Sequence, residues 1–158
     1  MWALARKARQ KTGSKIVVVD PRETQTAKKA DLWVRIRPGT DVALAYGLIR
    51  LFIKRDCIDH EFIEAETSGF SELEKETGIW TPEAVLEATG VTDSILETLA
   101  GYYSHSKNSA TQIGIGLQKC DQGADQVRAV SFIPAVMGLK RGFFFSNGGI
   151  TFFRCRRR

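Results

Sequence analysis

Apolar runs and polar stretches alternate along the chain, and their spacing predicts strands and helices in turn. Residues 14–20 hold an unbroken β-branched run that ends in Asp20, and residues 110–116 hold a second apolar run that ends in glycines. Continuous runs of this kind are typical of strands that are buried on both faces of a parallel sheet. Residues 32–37 alternate apolar and basic side chains, which indicates a strand with one exposed face.

Helical spacing of apolar residues occupies much of the remaining chain. Thr40, Asp59, Thr81 and Thr92 stand at expected N-cap positions, each with an acidic residue soon after it. Pro134 is expected to kink or end the last helix. The predicted helices cover residues 2–12, 41–54, 59–66, 93–103 and 125–137, and another begins at residue 82. Residues 24–30 are expected to form one or two helical turns, and residues 68–78 a polar stretch.

Strands that alternate with helices predict an α/β layered fold. The pattern changes after Gly142, where a run of phenylalanines, an Asn-Gly-Gly segment and an arginine cluster follow no period. We therefore expect one α/β domain over residues 1–142 and an irregular, truncated or non-native tail over residues 143–158.

The total charge suggests a nucleic-acid partner, but the placement of the charge argues against one. The chain has 23 Lys and Arg against 18 Asp and Glu, a net charge of +5. Four of the positive charges lie at the C-terminus, on Arg154, Arg156, Arg157 and Arg158. Residues 1–153 therefore carry a net charge of 5 − 4 = +1. A nearly neutral body lacks the positive stripe that contacts phosphates, so no nucleic-acid partner is predicted.

Other functional classes lack their sequence signals. No apolar run approaches the roughly 20 residues of a membrane-spanning helix, and the first residues do not form a secretory signal. Cys57, Cys120 and Cys155 are scattered, which suits a reducing compartment and predicts no zinc or iron–sulfur site. His60 and His105 precede no nucleophile motif. No catalytic or metal-binding residue is therefore predicted.

The first candidate binding residues follow the predicted strands, at the ends where ligands bind in α/β sheets. Asp20 is placed to accept hydrogen bonds from ribose hydroxyls, or to cap the next turn. Arg22 is placed to contact a phosphate, or to pair with Asp20 or Asp31. Gly39 lets the backbone approach a ligand closely. Asp41 is placed to accept the ring N–H and amino group of a guanine, or to serve an ordinary helix start.

A glycine-rich segment follows the second apolar run. Gly114 and Gly116 are followed next by Gly123, so the G-x-G-x-x-G dinucleotide motif is not present. A glycine-lined loop before a helix still presents backbone N–H groups to an anion. Gln118 adds an amide donor and an amide acceptor to that loop.

Ordered motifs connect these candidates over roughly residues 2–142. They are Val17-Val-Val-Asp20-Pro21-Arg22, Thr26-Ala27, Ala30-Asp31, Pro38-Gly39-Thr40-Asp41, Asp59-x-x-Phe62-Ile63, Thr67-x-Gly69-Phe70, Thr81-Pro82-Glu83, Thr89-Gly90-Val91, Gly114-x-Gly116-x-Gln118, Gly123 and Arg128-Ala129. In this order the motifs resemble the cofactor-binding region of molybdopterin oxidoreductases, the bis-molybdopterin guanine dinucleotide enzymes that include formate dehydrogenases, nitrate reductases and dimethyl sulfoxide reductases.

The resemblance implies a Rossmann-like parallel sheet flanked by helices in three layers, here as part of a larger multidomain enzyme. It implies that Asp20 meets the ribose and Asp41 the guanine edge of a molybdopterin guanine dinucleotide carrying Mo or W. The residues around them would be Arg22, Thr26, Gly39 and Thr40. Gly116 and Gln118 would belong to the strand and loop nearer the pterin and the metal.

The resemblance also marks features that this segment lacks. The cysteine cluster, the metal-ligand segment and the C-terminal barrel of the family have no counterpart here, so we expect no turnover from this chain by itself. Relatives usually have Thr-Gly-Asn-x-Gly where residues 137–142 are Met-Gly-Leu-Lys-Arg-Gly. The expected partners are the other domains of a parent enzyme and an iron–sulfur electron-transfer subunit.

Two points stay open at the level of sequence. Whole enzymes of the family occur on both sides of the bacterial inner membrane, so no location is assigned. The alternative function is a stand-alone Rossmann-like nucleotide-binding or interaction module without a redox role.

Overall fold

Helices make up more than half of the residues that the structure describes, and the short strands between them form parallel pairs. A computed structural model describes residues 2–106 and 108–145. The helices are α1 (Trp2–Thr12), α2 (Asp41–Lys54), α3 (His60–Glu66), α4 (Phe70–Gly78), α5 (Pro82–Thr89), α6 (Asp93–Ser104), α7 (Ile115–Gln118) and α8 (Gly123–Val136). The strands are β1 (Val17–Val19), β2 (Leu32–Val34), β3 (Thr111–Ile113) and β4 (Phe143–Phe145), with a 3₁₀ turn at Ala27–Lys29. The fold is therefore mixed α/β.

The strands of the described residues form two separate parallel pairs, β1 with β2 and β3 with β4. In the first pair Val17 lies opposite Leu32, and in the second Thr111 lies opposite Phe143. The predicted strands at 14–20, 32–37 and 110–116 are confirmed as shorter elements. Burial of the first strand on both faces is wrong for this chain, because Val19 is 41% exposed. The pair is covered unevenly, since Val34 is fully buried in the core and Val17 and Leu32 pack against it, whereas Val19 does not.

The start of the predicted tail is a strand. Phe143–Phe145 continue the ladder that begins where the amide of Thr111 donates to the carbonyl of Gly142, at 2.7 Å. The expectation of irregular backbone is wrong for these three residues, since they pair with β3 as a parallel strand. The remaining tail residues lie outside the described residues, and the domain boundary at residue 142 stays a prediction.

The core is built around α2, which packs against α4, α5, α6 and α8. Its first three turns are buried on nearly every side; their buried residues are Ala43, Leu44, Ala45, Tyr46, Gly47, Leu48, Ile49 and Phe52. Phe52 meets Tyr103 of α6 edge-on, with ring centroids 5.8 Å apart. A helix that is apolar on all sides belongs to the interior. The core around α2 therefore fixes the position of the turn at residues 38–41, which leads into this helix.

Two helical segments differ from their predictions. Residues 70–78, predicted as a polar stretch, form α4, because Phe70, Leu73 and Thr77 are enough to anchor one narrow face. Helix α8 begins at Gly123 rather than residue 125. Its buried residues are Gly123, Gln126, Ala129, Ile133, Pro134 and Val136.

The four predicted N-cap residues precede helices, but their side chains act differently. Asp59 accepts a hydrogen bond from the amide of Phe62 at 2.9 Å, and Thr81 accepts one from the amide of Ala84 at 3.3 Å. Thr92 makes no capping bond. Thr40 turns its hydroxyl backwards and donates to the carbonyl of Arg37 at 2.8 Å. The hydroxyl of Thr40 therefore stabilises the turn before α2 rather than the helix end.

Candidate functional site

Asp20 lies directly after β1 and beside the end of β2. Its amide donates to the carbonyl of Val34 at 3.2 Å, and its carbonyl accepts from the indole N–H of Trp33 at 2.9 Å. Its Oδ1 accepts from the amide of Arg22 at 2.8 Å, so the carboxylate does cap the next turn. No hydrogen bond of Oδ2 is found within the described residues. One oxygen of Asp20 thus holds the loop, and the other has acceptor capacity left.

Arg22 and Thr26 lie on the exposed loop that follows Asp20. The predicted pairing of Arg22 with Asp31 is not seen, because Asp31 is bound instead by Arg9 at 2.9 Å and by Lys15 at 3.9 Å. Within the described ranges, neither Arg22 nor Thr26 hydrogen-bonds to the turn at residues 38–41. Arg22 therefore has no ion pair in the part of the chain that the structure describes.

The turn before α2 places Asp41 in the first helical turn. Gly39 has φ of +79°, a left-handed conformation that suits a residue without a β-carbon. Asp41 is half-buried, and no cation pairs with it within residues 2–106 and 108–145. Burial raises the pKa of this carboxyl above its ordinary value, while a hydrogen bond from its own backbone amide lowers it by less. Asp41 is thus a partly desolvated acceptor without a strong partner.

A cavity of about 420 Å³ lies on another side of the same turn, between the first turns of α2 and α8. It is lined by Gly39, Thr40, Val42, Ala43, Tyr46, Trp80, Ala88, Gln122, Asp125, Gln126 and Arg128. The charges of Asp125 and Arg128 are paired at 3.1 Å, and the hydroxyl of Tyr46 meets Glu76 at 3.1 Å. The cavity therefore combines an apolar, aromatic wall with polar groups from two helix starts.

Gly116 and Gln118 lie in the short helix α7 that follows β3, and both are exposed. The chain then turns tightly into α8. A β-carbon at Gly123 would lie 2.5 Å from the carbonyl oxygen of Gln118, so only glycine fits there. Neither Gly116 nor Gln118 lines the cavity, although Gln122 of the same loop does.

The structure therefore brings together some of the predicted site residues and leaves others apart. Asp20 and the 38–41 turn follow the carboxyl ends of neighbouring parallel strands. The loop between α7 and α8 approaches the same turn through Gln122, and α8 does so through Gln126; both line the cavity with Gly39.

Sequence reasoning missed Gln126, Tyr46 and Trp80. Gln126 had one available signal, since it lies three residues after Gly123 and three before Ala129 on the buried face of α8. A polar residue within an apolar stripe suggests a specific contact.

In the described part of the chain, no three His, Cys, Asp or Glu side chains are grouped so that they could hold a metal ion. No helix among residues 2–106 and 108–145 has the length and apolar character needed to cross a membrane.

Comparisons with known proteins identify the family. The model of a family described as molybdopterin oxidoreductase matches residues 2–153. Probable oxidoreductase YoaE of Bacillus subtilis is 38% identical over 135 residues, which are 85% of this chain and 20% of that protein. The F420-dependent formate dehydrogenase subunit alpha of Methanocaldococcus jannaschii is 35% identical over 126 residues, which are 80% of this chain and 19% of that protein.

A solved structure extends the similarity to three dimensions. Acetylene hydratase from Pelobacter acetylenicus matches with a TM-score of 0.80 and 29% identity, over 86% of this chain and 19% of that one. The chain spans about one-fifth of the length of the curated relatives it matches. The predicted family is confirmed: this chain belongs to the molybdopterin oxidoreductase family.

Proposed function

We propose that this chain is the segment of a molybdopterin-dependent oxidoreductase that binds the guanosine end of molybdopterin guanine dinucleotide. The family supports the cofactor class, and several relatives are redox enzymes by name, among them formate dehydrogenases and nitrate reductases. The observation that carries the proposal is the state of Asp41. It is a half-buried carboxylate at a strand-to-helix turn, and no cation pairs with it in the described residues.

The chemistry of Asp41 fits a guanine. A guanine presents a ring N–H and an amino group side by side, and a carboxylate accepts both in a bidentate, charge-assisted pair. Burial makes the unpaired carboxylate unfavourable, so two N–H donors would recover part of that cost. The left-handed Gly39 next to it leaves room for the base to approach the backbone.

The neighbouring residues fit the rest of a nucleotide. In this proposal Oδ2 of Asp20 accepts from a ribose hydroxyl, while Oδ1 keeps its bond to the amide of Arg22. Arg22 contacts a phosphate, and Thr26 and Thr40 supply hydroxyls nearby. Gly116 and Gln118 face the pterin side of the cofactor.

When bound, the cofactor supplies two-electron chemistry at Mo or W, and this chain binds and orients its nucleotide end. We propose that the other domains of a longer parent enzyme, and an iron–sulfur subunit, complete the electron path used in anaerobic respiration. The two short parallel pairs would then be parts of one three-layer, Rossmann-like sheet. The exposed side chains of Val19, Phe144 and Phe145 suit such an extension, because they are apolar and uncovered in this chain.

The test is a titration of guanosine diphosphate against the chain and its Asp41→Asn variant. Asp41→Asn keeps the shape but removes the charge and one acceptor, so we expect affinity to fall about tenfold to hundredfold. The matched control is Asp93→Asn, which changes an exposed first-turn acid of α6 that also follows a threonine. Equal affinities of Asp41→Asn and the unmodified chain would contradict the guanine role, as would an equal loss in the Asp93 control.

A further inference from the structure

Gln126 lies between the turn before α2 and the loop that follows α7. It lies in the first turns of α8 and is only 2% exposed. Its Nε2 donates to the carbonyl of Asp121, at 3.1 Å, in the loop between α7 and α8. A β-carbon at Gly39 would lie 3.9 Å from the same nitrogen, so Gln126 is also the neighbour of the turn before α2. One side chain thus spans the gap between two segments that are distant in sequence.

The other end of the amide is unsatisfied. Oε1 of Gln126 is the one buried side-chain N or O atom without a hydrogen-bond partner in the described part of the chain. Exchanging the two amide ends would set Oε1 against the carbonyl oxygen of Asp121, so the hydrogen bond decides the orientation. An orphaned buried acceptor costs stability, and an apolar side chain of the same length would not carry that cost. Core packing alone does not account for glutamine here.

We propose that Gln126 is a positioning residue that holds the 38–41 turn and the 119–122 loop at a set separation, so that both meet one nucleotide cofactor. Its hydrogen-bond partner in the 119–122 loop is a backbone carbonyl, and its neighbour in the 38–41 turn is a glycine, so neither side of the link involves a flexible side chain. The effect on cofactor binding rests on the proposed function. The mechanical link between the two loops is measured separately, by amide hydrogen exchange.

The variant that tests it is Gln126→Met, which keeps the length and volume but has no amide. Two measurements follow: the affinity for guanosine diphosphate, and amide hydrogen exchange at residues 38–41 and 119–122. The control is Gln112→Met, the same chemical change at an exposed position of β3.

We expect three results together for Gln126→Met. Exchange becomes faster in both segments, and guanosine diphosphate binds about tenfold more weakly. The urea midpoint stays equal or rises, because the orphaned Oε1 is gone and water can reach the carbonyl of the exposed Asp121. A purely structural residue would lower stability and affinity in parallel, so a fall in stability overturns the proposal. Unchanged exchange at 38–41 overturns it as well.

A second variant checks the donor itself. Gln126→Glu loses the donor when ionised and regains one when its carboxyl is protonated. Protection factors at residues 119–122, which hold the acceptor carbonyl, and at residues 38–41 should therefore recover as pH falls in Gln126→Glu but not in Gln126→Met, after correction for the intrinsic pH dependence of exchange. If the unmodified chain fails to bind guanosine diphosphate while these exchange patterns appear, the proposed function fails and the positional link stands.

Discussion

Gly47 is buried in the middle of α2, at the point where that helix meets α5. A β-carbon there would overlap Cγ2 of Val85, a side chain that is fully buried. Valine is branched at Cβ and has little rotamer freedom in a helix, so it cannot turn away. We therefore expect Gly47→Ala to force α2 and α5 apart, and with α2 the Gly39–Asp41 turn that it carries.

The expected change in the free energy of unfolding is the sum of two opposing effects. Overpacking a core position costs about 1–3 kcal/mol, and the depth of this overlap places it near the upper value. Alanine gains about 1 kcal/mol over glycine inside a helix. The free energy of unfolding should thus fall by about 2 kcal/mol.

Removing the obstructing methyl groups of Val85 should reverse the sign of the stability change that Gly47→Ala causes. In a Val85→Ala background the nearest atom to the new β-carbon is the β-carbon at position 85, at 3.5 Å, which is ordinary contact. Only the helix-propensity term then remains, so Gly47→Ala should stabilise the Val85→Ala protein by about 1 kcal/mol. The coupling energy between the two sites is about 3 kcal/mol in this double-mutant cycle.

Urea unfolding followed by circular dichroism and by tryptophan fluorescence measures all four proteins of the cycle. The m value should stay constant, so that midpoint shifts report stability. An equal cost of Gly47→Ala in both backgrounds would refute the reasoning, because it would show that Val85 is not the obstacle.

The remaining predictions concern charge and helix capping. Burial raises the pKa of Asp41, so the folded state holds its proton more tightly than the unfolded chain does. The stability from this group is therefore full below the ordinary value of 3.8 and is lost as pH rises through the folded pKa. As pH rises, urea midpoints should fall more steeply for the unmodified chain than for Asp41→Asn. Parallel curves of midpoint against pH would contradict the burial effect. Thr81→Ala should cost about 1 kcal/mol of stability, because Thr81 caps α5 through the amide of Ala84. Thr92→Ala should cost less than half of that by the same urea assay, since Thr92 makes no capping bond.

Local sequence determined where many elements begin. Asp59 and Thr81 can be recognised as N-caps from the amino-acid sequence, because an N-cap hydrogen bond joins residues only three apart. The strand before Asp20 follows from a β-branched run for the same reason, since strand preference lies in adjacent side chains. The order of the motifs was likewise enough to indicate the family.

Tertiary structure decided what depends on distant residues. The pairing of Phe143–Phe145 with β3 joins segments separated by the whole of α8, and no local period marks it. The exposure of Val19 depends on how many strands and helices cover β1. Both are properties of neighbours in space, which periodicity along the chain does not contain.

The candidate site divides in the same way. Asp20, Gly39 and Asp41 were predictable because each follows directly from a strand end or a helix start. The approach of Gln126 to Gly39 depends on how α8 packs against α2, and so does the lack of a partner for its Oε1 among residues 2–106 and 108–145. Sequence thus indicated which groups are candidates for binding, whereas the packing of α8 against α2 set the distances between them, because those distances depend on the volumes and contacts of side chains in the core.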